Sequence, residues 1–200
     1  MQESEAAKNE ISQKVGAMKS TNLVFVDTET TGLDPRRHEL IELAYIRVNQ
    51  SWIPGEKPVF EELYEWSVKV RPEHIVTADP VSLKVAGYSP DEWRTADDVL
   101  TALQEFSDGT QGAIMVAHNV AADAAFIDTA LSTHGMQNKM HYHRLDTVSM
   151  AYAKLHGAPD VHRFSLAELC KYFGIINPDP HSALADARAC FELFKKLMEL

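Results

Sequence analysis

The sequence predicts an α/β domain with a mixed five-stranded sheet flanked by helices. Two observations carry this expectation. Three β-patterned runs come first, within residues 22–70, and beyond Arg71-Pro72 the apolar periodicity shifts towards 3.6. From there short apolar runs alternate with helical stretches, and the chain ends in helices, the order expected of an α/β domain.

Residues 22–27, NLVFVD, form a continuous apolar run ending in polar residues, which suits a strand buried on both faces. The turn TGLDP follows, with Gly32 and Pro35. Residues 40–48 read as a second strand, and QSWIPGEKP, with Pro54, Gly55 and Pro58, as a loop. Over 62–70, Tyr64, Trp66, Val68 and Val70 are spaced by two, giving a third strand and a meander with a long second connection. Helices are expected over 80–86 and 97–106, a fourth strand over 113–117, and a helix over 120–131. A short fifth strand over 144–146 precedes helices over 147–155, 165–173 and 182–198. Residues 1–20 are polar, with Ile11, Val15 and Met18 in a thin stripe at helical spacing. A frayed or helical leader is therefore expected ahead of a single domain over 21–200.

The chain has 200 residues, 45% apolar and 24% charged, values that argue against disorder and low complexity. Its net charge of −10 argues against gripping long nucleic acid with the whole surface. Acidic residues can instead hold cations, and the cations can meet phosphate. Two cysteines, Cys170 and Cys190, without CxxC spacing, support neither a disulfide framework nor a zinc site. They fit a reducing compartment, the cytoplasm. The first residues lack the basic start and apolar core of a secretory signal, and no apolar window is long enough for a membrane span.

Four carboxylates stand in unexpected places. Asp27 and Glu29 are two apart at the end of a buried strand, so both point to one face, where repulsion calls for a cation between them. The alternative is a turn capped by Asp27 with Glu29 in solvent. Asp123 lies three and four residues before Phe126 and Ile127, on the apolar stripe of its helix. A helix N-terminus supplies only about 0.3–1 kcal/mol, less than burial of a charge costs, so Asp123 needs a cation or an Arg. Asp128, off that stripe, is expected in solvent. Asn119 is expected to cap this helix. Asp186 sits at the edge of the last helix's stripe of Leu184, Phe191, Phe194 and Met198, where surface pairing with Arg188 or a Lys is the alternative. His181, in the loop before that helix, suits a general base. Four acids and one His form a hard oxygen site that selects Mg²⁺ or Mn²⁺, and two such ions suit phosphodiester cleavage.

The segments VDTETTGLD (26–34), HNVAADAAFI (118–127) and HSALAD (181–186) resemble, in order and rough spacing, the three motifs of the DEDD exonuclease superfamily. His181, five residues before Asp186, resembles the DEDDh subgroup; the DEDDy subgroup carries Tyr where Ser182 stands. The resemblance spans about 22–198 and is to DNA polymerase III epsilon-type proofreading domains and RNase T, less to oligoribonucleases. It implies a ribonuclease H-like fold and 3′→5′ exonuclease activity on DNA or RNA, releasing nucleoside 5′-monophosphates. By motif match Asp27, Glu29, Asp123 and Asp186 would hold two metal ions, and His181 would deprotonate water. Thr30, Gly32 and Leu33 would contact the terminal nucleotide of a single-stranded 3′ end. The family's frequent aromatic before the third acid is Ala122 here. Asp146 and His118-Asn119 read as strand-end and helix-cap residues. A polymerase or other protein partner is compatible with this reading. A silent accessory module, or a two-metal endonuclease, are the alternatives; a silenced copy would have lost one of the five residues.

Overall fold

The computed structural model describes residues 18–53 and 55–200. The expected leader over 1–20 therefore lies, up to residue 17, outside the described residues. Strands β1 (Leu23–Thr30), β2 (Leu40–Ser51), β3 (Val59–Lys69), β4 (Ile114–Ala117) and β5 (Arg144–Asp146) form one sheet in the order β3-β2-β1-β4-β5. The first three are antiparallel neighbours, whereas β4 and β5 join in parallel. This is the mixed five-stranded sheet expected from the sequence. Helices are α1 (Pro80–Val85), α2 (Val99–Thr110), α3 (Val120–Thr133), α4 (Thr147–Leu155), α5 (Leu166–Phe173) and α6 (Ala183–Glu199).

Alternation along β1 builds both halves of the core. Leu23 and Phe25 pack with Cys190, Phe191 and Phe194 of α6. Val24 and Val26 face the other way, into a cluster with Leu103 and Phe106 of α2 and Ile127 and Leu131 of α3. Phe25 meets Phe191 and Phe194 at ring-centroid distances of 4.7 and 5.2 Å. A third cluster joins α6 to α4 and α5 through Leu193, Leu197, Ala151 and Leu169. Helix α6 thus buries two faces, and its C-terminal core residue is Leu197; Met198, expected inside, is exposed.

Strand ends differ from expectation in ways that matter. β1 runs to Thr30 rather than 27, because Asp27 and Glu29 pair across β2 with Ala44 and Glu42. The β2–β3 hairpin is longer too, pairing out to Ser51 and Val59, so the loop shrinks. β1 and β4 run parallel, and their carboxyl ends open on the side from which α3 departs, where open α/β sheets place their sites.

Candidate active site

All five residues singled out from the sequence come to this end of the sheet. Asp27 and Glu29 follow Phe25 on the α6 side of β1. Asp123 enters from the first turn of α3 on the opposite side and is buried, 6% exposed. Thr28, pointing towards α3, donates its hydroxyl to Asp123 Oδ1 at 2.9 Å. Asp186 comes from the first turn of α6 and His181 from the loop before it. Ligand-type atoms of Glu29, His181 and Asp186 all lie within 4.8 Å of one another.

The electrostatics are those of crowded acids. Burial, then the charges of Asp123, Asp186, Glu29 and Glu42, hold Asp27 well above the usual carboxylate range. Burial, followed by Asp186, Glu42 and Asp123, pushes Glu29 up to about 8. Burial raises Asp123 to about 7, against the opposing hydrogen bond from Thr28. No cation offsets this among the described residues. Arg188, the candidate partner of Asp186, pairs instead with Glu65. Asp186 accepts from the Asn177 side-chain amide and from the His181 backbone N–H at 3.2 Å. A set of four acids without a cation, three with raised proton affinity, has the donor chemistry of a hard divalent-metal site.

His181 is exposed, and its backbone is left-handed, with φ of 70°. A non-glycine residue held there is uncommon and marks a spot fixed by its surroundings. Here the fixing contact is the bond from its own N–H to Asp186. In the β1–β2 connection, Thr30 Oγ1 donates to the Gly32 carbonyl at 2.7 Å. Gly32 is packed so closely on the His38 ring that a Cβ would lie 2.4 Å from it. Leu33 projects beyond, 87% exposed. The three residues expected to meet a terminal nucleotide thus form a braced loop with an apolar tip beside the acids.

Several supporting residues escaped the sequence reading. Thr28 orients Asp123, and Asn177 orients Asp186; the Asn177 Oδ1 is buried without a partner among the described residues. Glu42, 9% exposed, is held above the usual carboxylate range by burial, against the opposing pull of Lys69 and of Ala183 and Ser182 at the start of α6. Its signal was present, a lone acid in the apolar run LIELAY. Other expectations need correction. Asn119 adopts a left-handed backbone and gives no side-chain cap; Asp146 Oδ1 accepts from Asn119 N and Val120 N instead, while also capping α4. Asp128, expected in solvent, is half-buried and held by Asn138 and Arg144. His118 bridges Thr147 and the Phe164 carbonyl, a structural role.

With this geometry in place, comparison with known proteins is decisive. The Exonuclease family (RNase_T) matches residues 24–194. The chain belongs to that family. It is 30% identical over 187 residues to a DNA polymerase III PolC-type protein of Listeria welshimeri, covering 94% of this chain and 12% of that relative. It is 29% identical over 172 residues to the DNA polymerase III subunit epsilon of Treponema pallidum, covering 86% of this chain and 74% of that subunit. The chain thus spans only a small part of the PolC-type relatives. Its fold matches that of Escherichia coli exonuclease I in complex with a dT13 oligonucleotide, with TM-score 0.73, 20% identity and coverage of 88% and 41% of the two chains. The exonuclease domain is therefore ribonuclease H-like, as the sequence implied. No helix among its described residues is long and apolar enough to cross a membrane.

Proposed function

We propose that this exonuclease domain hydrolyses single-stranded DNA or RNA from the 3′ end, releasing nucleoside 5′-monophosphates. The observation that carries this reading is the convergence of Asp27, Glu29, Asp123 and Asp186 from three elements with no cation among the described residues to balance them. Two Mg²⁺ or Mn²⁺ ions would be held by these four carboxylates, supplying positive charge for the phosphate oxygens as the bond is exchanged.

The chain's own groups do the rest. His181, exposed beside Asp186 and Glu29, takes a proton from the attacking water. The water oxygen bonds to phosphorus, the bond from phosphorus to the 3′ oxygen breaks, and solvent returns a proton to that oxygen. Leu33 packs on the terminal base, while the Thr30 and Gly32 loop fixes where the 3′ nucleotide stops. Preference for a single strand is supported by the oligonucleotide complexes described for exonuclease I. A polymerase partner is supported by the relatives, which are DNA polymerase III components. A reducing, cytoplasmic setting is supported by Cys170 and Cys190, both buried and free.

The test is digestion of a 5′-labelled single strand with Mg²⁺. A ladder shortening from the 3′ end, stopped by EDTA, is expected. Internal cuts, or cleavage indifferent to EDTA, would overturn the reading.

A further inference from the structure

On the α3 side of the same sheet end lies a cleft of about 600 Å³, within the usual range for ligand sites. Its position follows from the register. Leu40, on its wall, is the cross-strand partner of Thr30, and Val70 directly follows β3. Phe126 lies one turn beyond Asp123 on α3. These three residues are buried and give an apolar floor.

The rim is cationic. Arg36, Arg37 and Arg71 line it, three of the eight arginines in a chain of net charge −10. The guanidinium groups of Arg37 and Arg71 make no hydrogen bond or ion pair among the described residues, and both side chains are exposed. Two glutamates also line the cleft, but Glu39 is tied into its wall. It accepts from the backbone N–H groups of Glu73 and His74 at 3.0 and 2.9 Å. Thr77 Oγ1 donates to the Arg37 carbonyl at 3.1 Å, so the segments carrying Arg37 and Arg71 are strapped together before any ligand arrives. The cleft on the α6 side is different. It is smaller, about 250 Å³, is lined by Glu62 and Glu192, and its Arg188 is already paired with Glu65.

We propose that the larger cleft holds the nucleotides immediately 5′ of the scissile phosphate. Arg37 and Arg71 meet consecutive phosphates, and a base lies over the floor around Phe126. This rests on the proposed reaction for its direction. A strand leaving the acids meets the unpaired guanidinium groups of Arg37 and Arg71 on this side, whereas Arg188, which lines the smaller cleft, is already paired with Glu65. The arrangement also explains how so acidic a chain could hold nucleic acid: three of its arginines gather on one rim.

The test is equilibrium binding of 5′-labelled oligothymidylates of two, four and six nucleotides, followed by anisotropy across a salt series. In the natural chain, affinity should rise about tenfold or more with length. In Arg37→Glu/Arg71→Glu most of that gain should vanish. The slope of log affinity against log salt should shrink by about 1.4, as for two single-strand phosphates. Arg37→Lys/Arg71→Lys should restore most of the gain, since a point charge still meets phosphate. Equal length dependence and salt slope in the natural and Glu variants would overturn the inference. Hydrolysis of the same strands is followed separately. Absence of cleavage with the length-dependent binding intact would refute the proposed reaction and leave this site standing. Cleavage with identical binding by natural and variant chains would refute the site and leave the reaction.

Discussion

Asp123 carries a carboxylate into an apolar stripe, eased by the Thr28 hydroxyl, by nearby backbone N–H groups and by the start of α3. Asp186 is braced in the same way by Asn177 and by the backbone at His181. Supporting partners of this kind set how well ligands hold a metal. Asn177→Ala should therefore weaken Mn²⁺ affinity by roughly tenfold or more while leaving the far-ultraviolet circular dichroism unchanged; unchanged affinity would remove Asn177 from the site. His181→Ala should slow hydrolysis by about 10²–10⁴ with metal affinity retained. A loss below about threefold would show that another group takes the proton. At this scale the five candidate residues were legible from Asp123 on an apolar stripe, Asp27 and Glu29 paired at a strand end, Asp186 at a stripe's edge and His181 at a helix start, joined by the order of the three motifs. Thr28 and Asn177 break no pattern; only the fold brings Thr28 to Asp123, 95 residues away, and Asn177 across the loop before α6 to Asp186.

Strand β1 is the element on which the site depends. Its period-two alternation sends Phe25 towards α6 and Val26 towards α3, and the same alternation then sends Asp27 and Glu29 one way and Thr28 the other. All five strands were expected, β1 and β4 from apolar runs and β3 from its alternation. Their ends were not, since a polar tail such as DTET looks like a loop until a partner strand is known. Capping failed for a related reason. Asn119 has the right chemistry, but Asp146, distant in sequence, arrives at the helix start first. After β1 the chain turns through Gly32 against the His38 ring. Gly32→Ala should displace that ring and lower stability by about 1–3 kcal/mol, seen as a reduced Tm, and should raise KM for the strand as Leu33 shifts. An unaltered Tm and KM would mean that the loop tolerates the extra carbon.

For the whole molecule, the crowded acids link stability to pH and to metal. Glu29 has an ordinary value of 4.5 and about 8 in the folded chain, and Asp123 moves from 3.8 to about 7. Between those values the folded state binds more protons than the unfolded state, so stability falls as pH rises. The destabilisation is absent below about pH 4 and complete above about pH 8. The metal-free protein should accordingly show a lower Tm at pH 8.5 than at pH 6. Added Mg²⁺ or Mn²⁺ should raise Tm more at the higher pH, because the ion binds the deprotonated site. A Tm that rises steadily with pH in EDTA would contradict this. The net charge of −10 reads differently at this scale: part of it is the proposed cation site, whose crowding costs stability that bound metal would offset.

The most direct measurement is a calorimetric Mn²⁺ titration of the natural chain and of Asp123→Asn at pH 7.5, paired with hydrolysis of one labelled single strand. Two ions per natural chain are expected. Asp123→Asn should remain folded, bind fewer than two and leave the strand intact. A natural chain that binds no Mn²⁺, or an Asp123→Asn chain that binds both ions and still degrades the strand, would contradict the assignment of these carboxylates as the hydrolytic site.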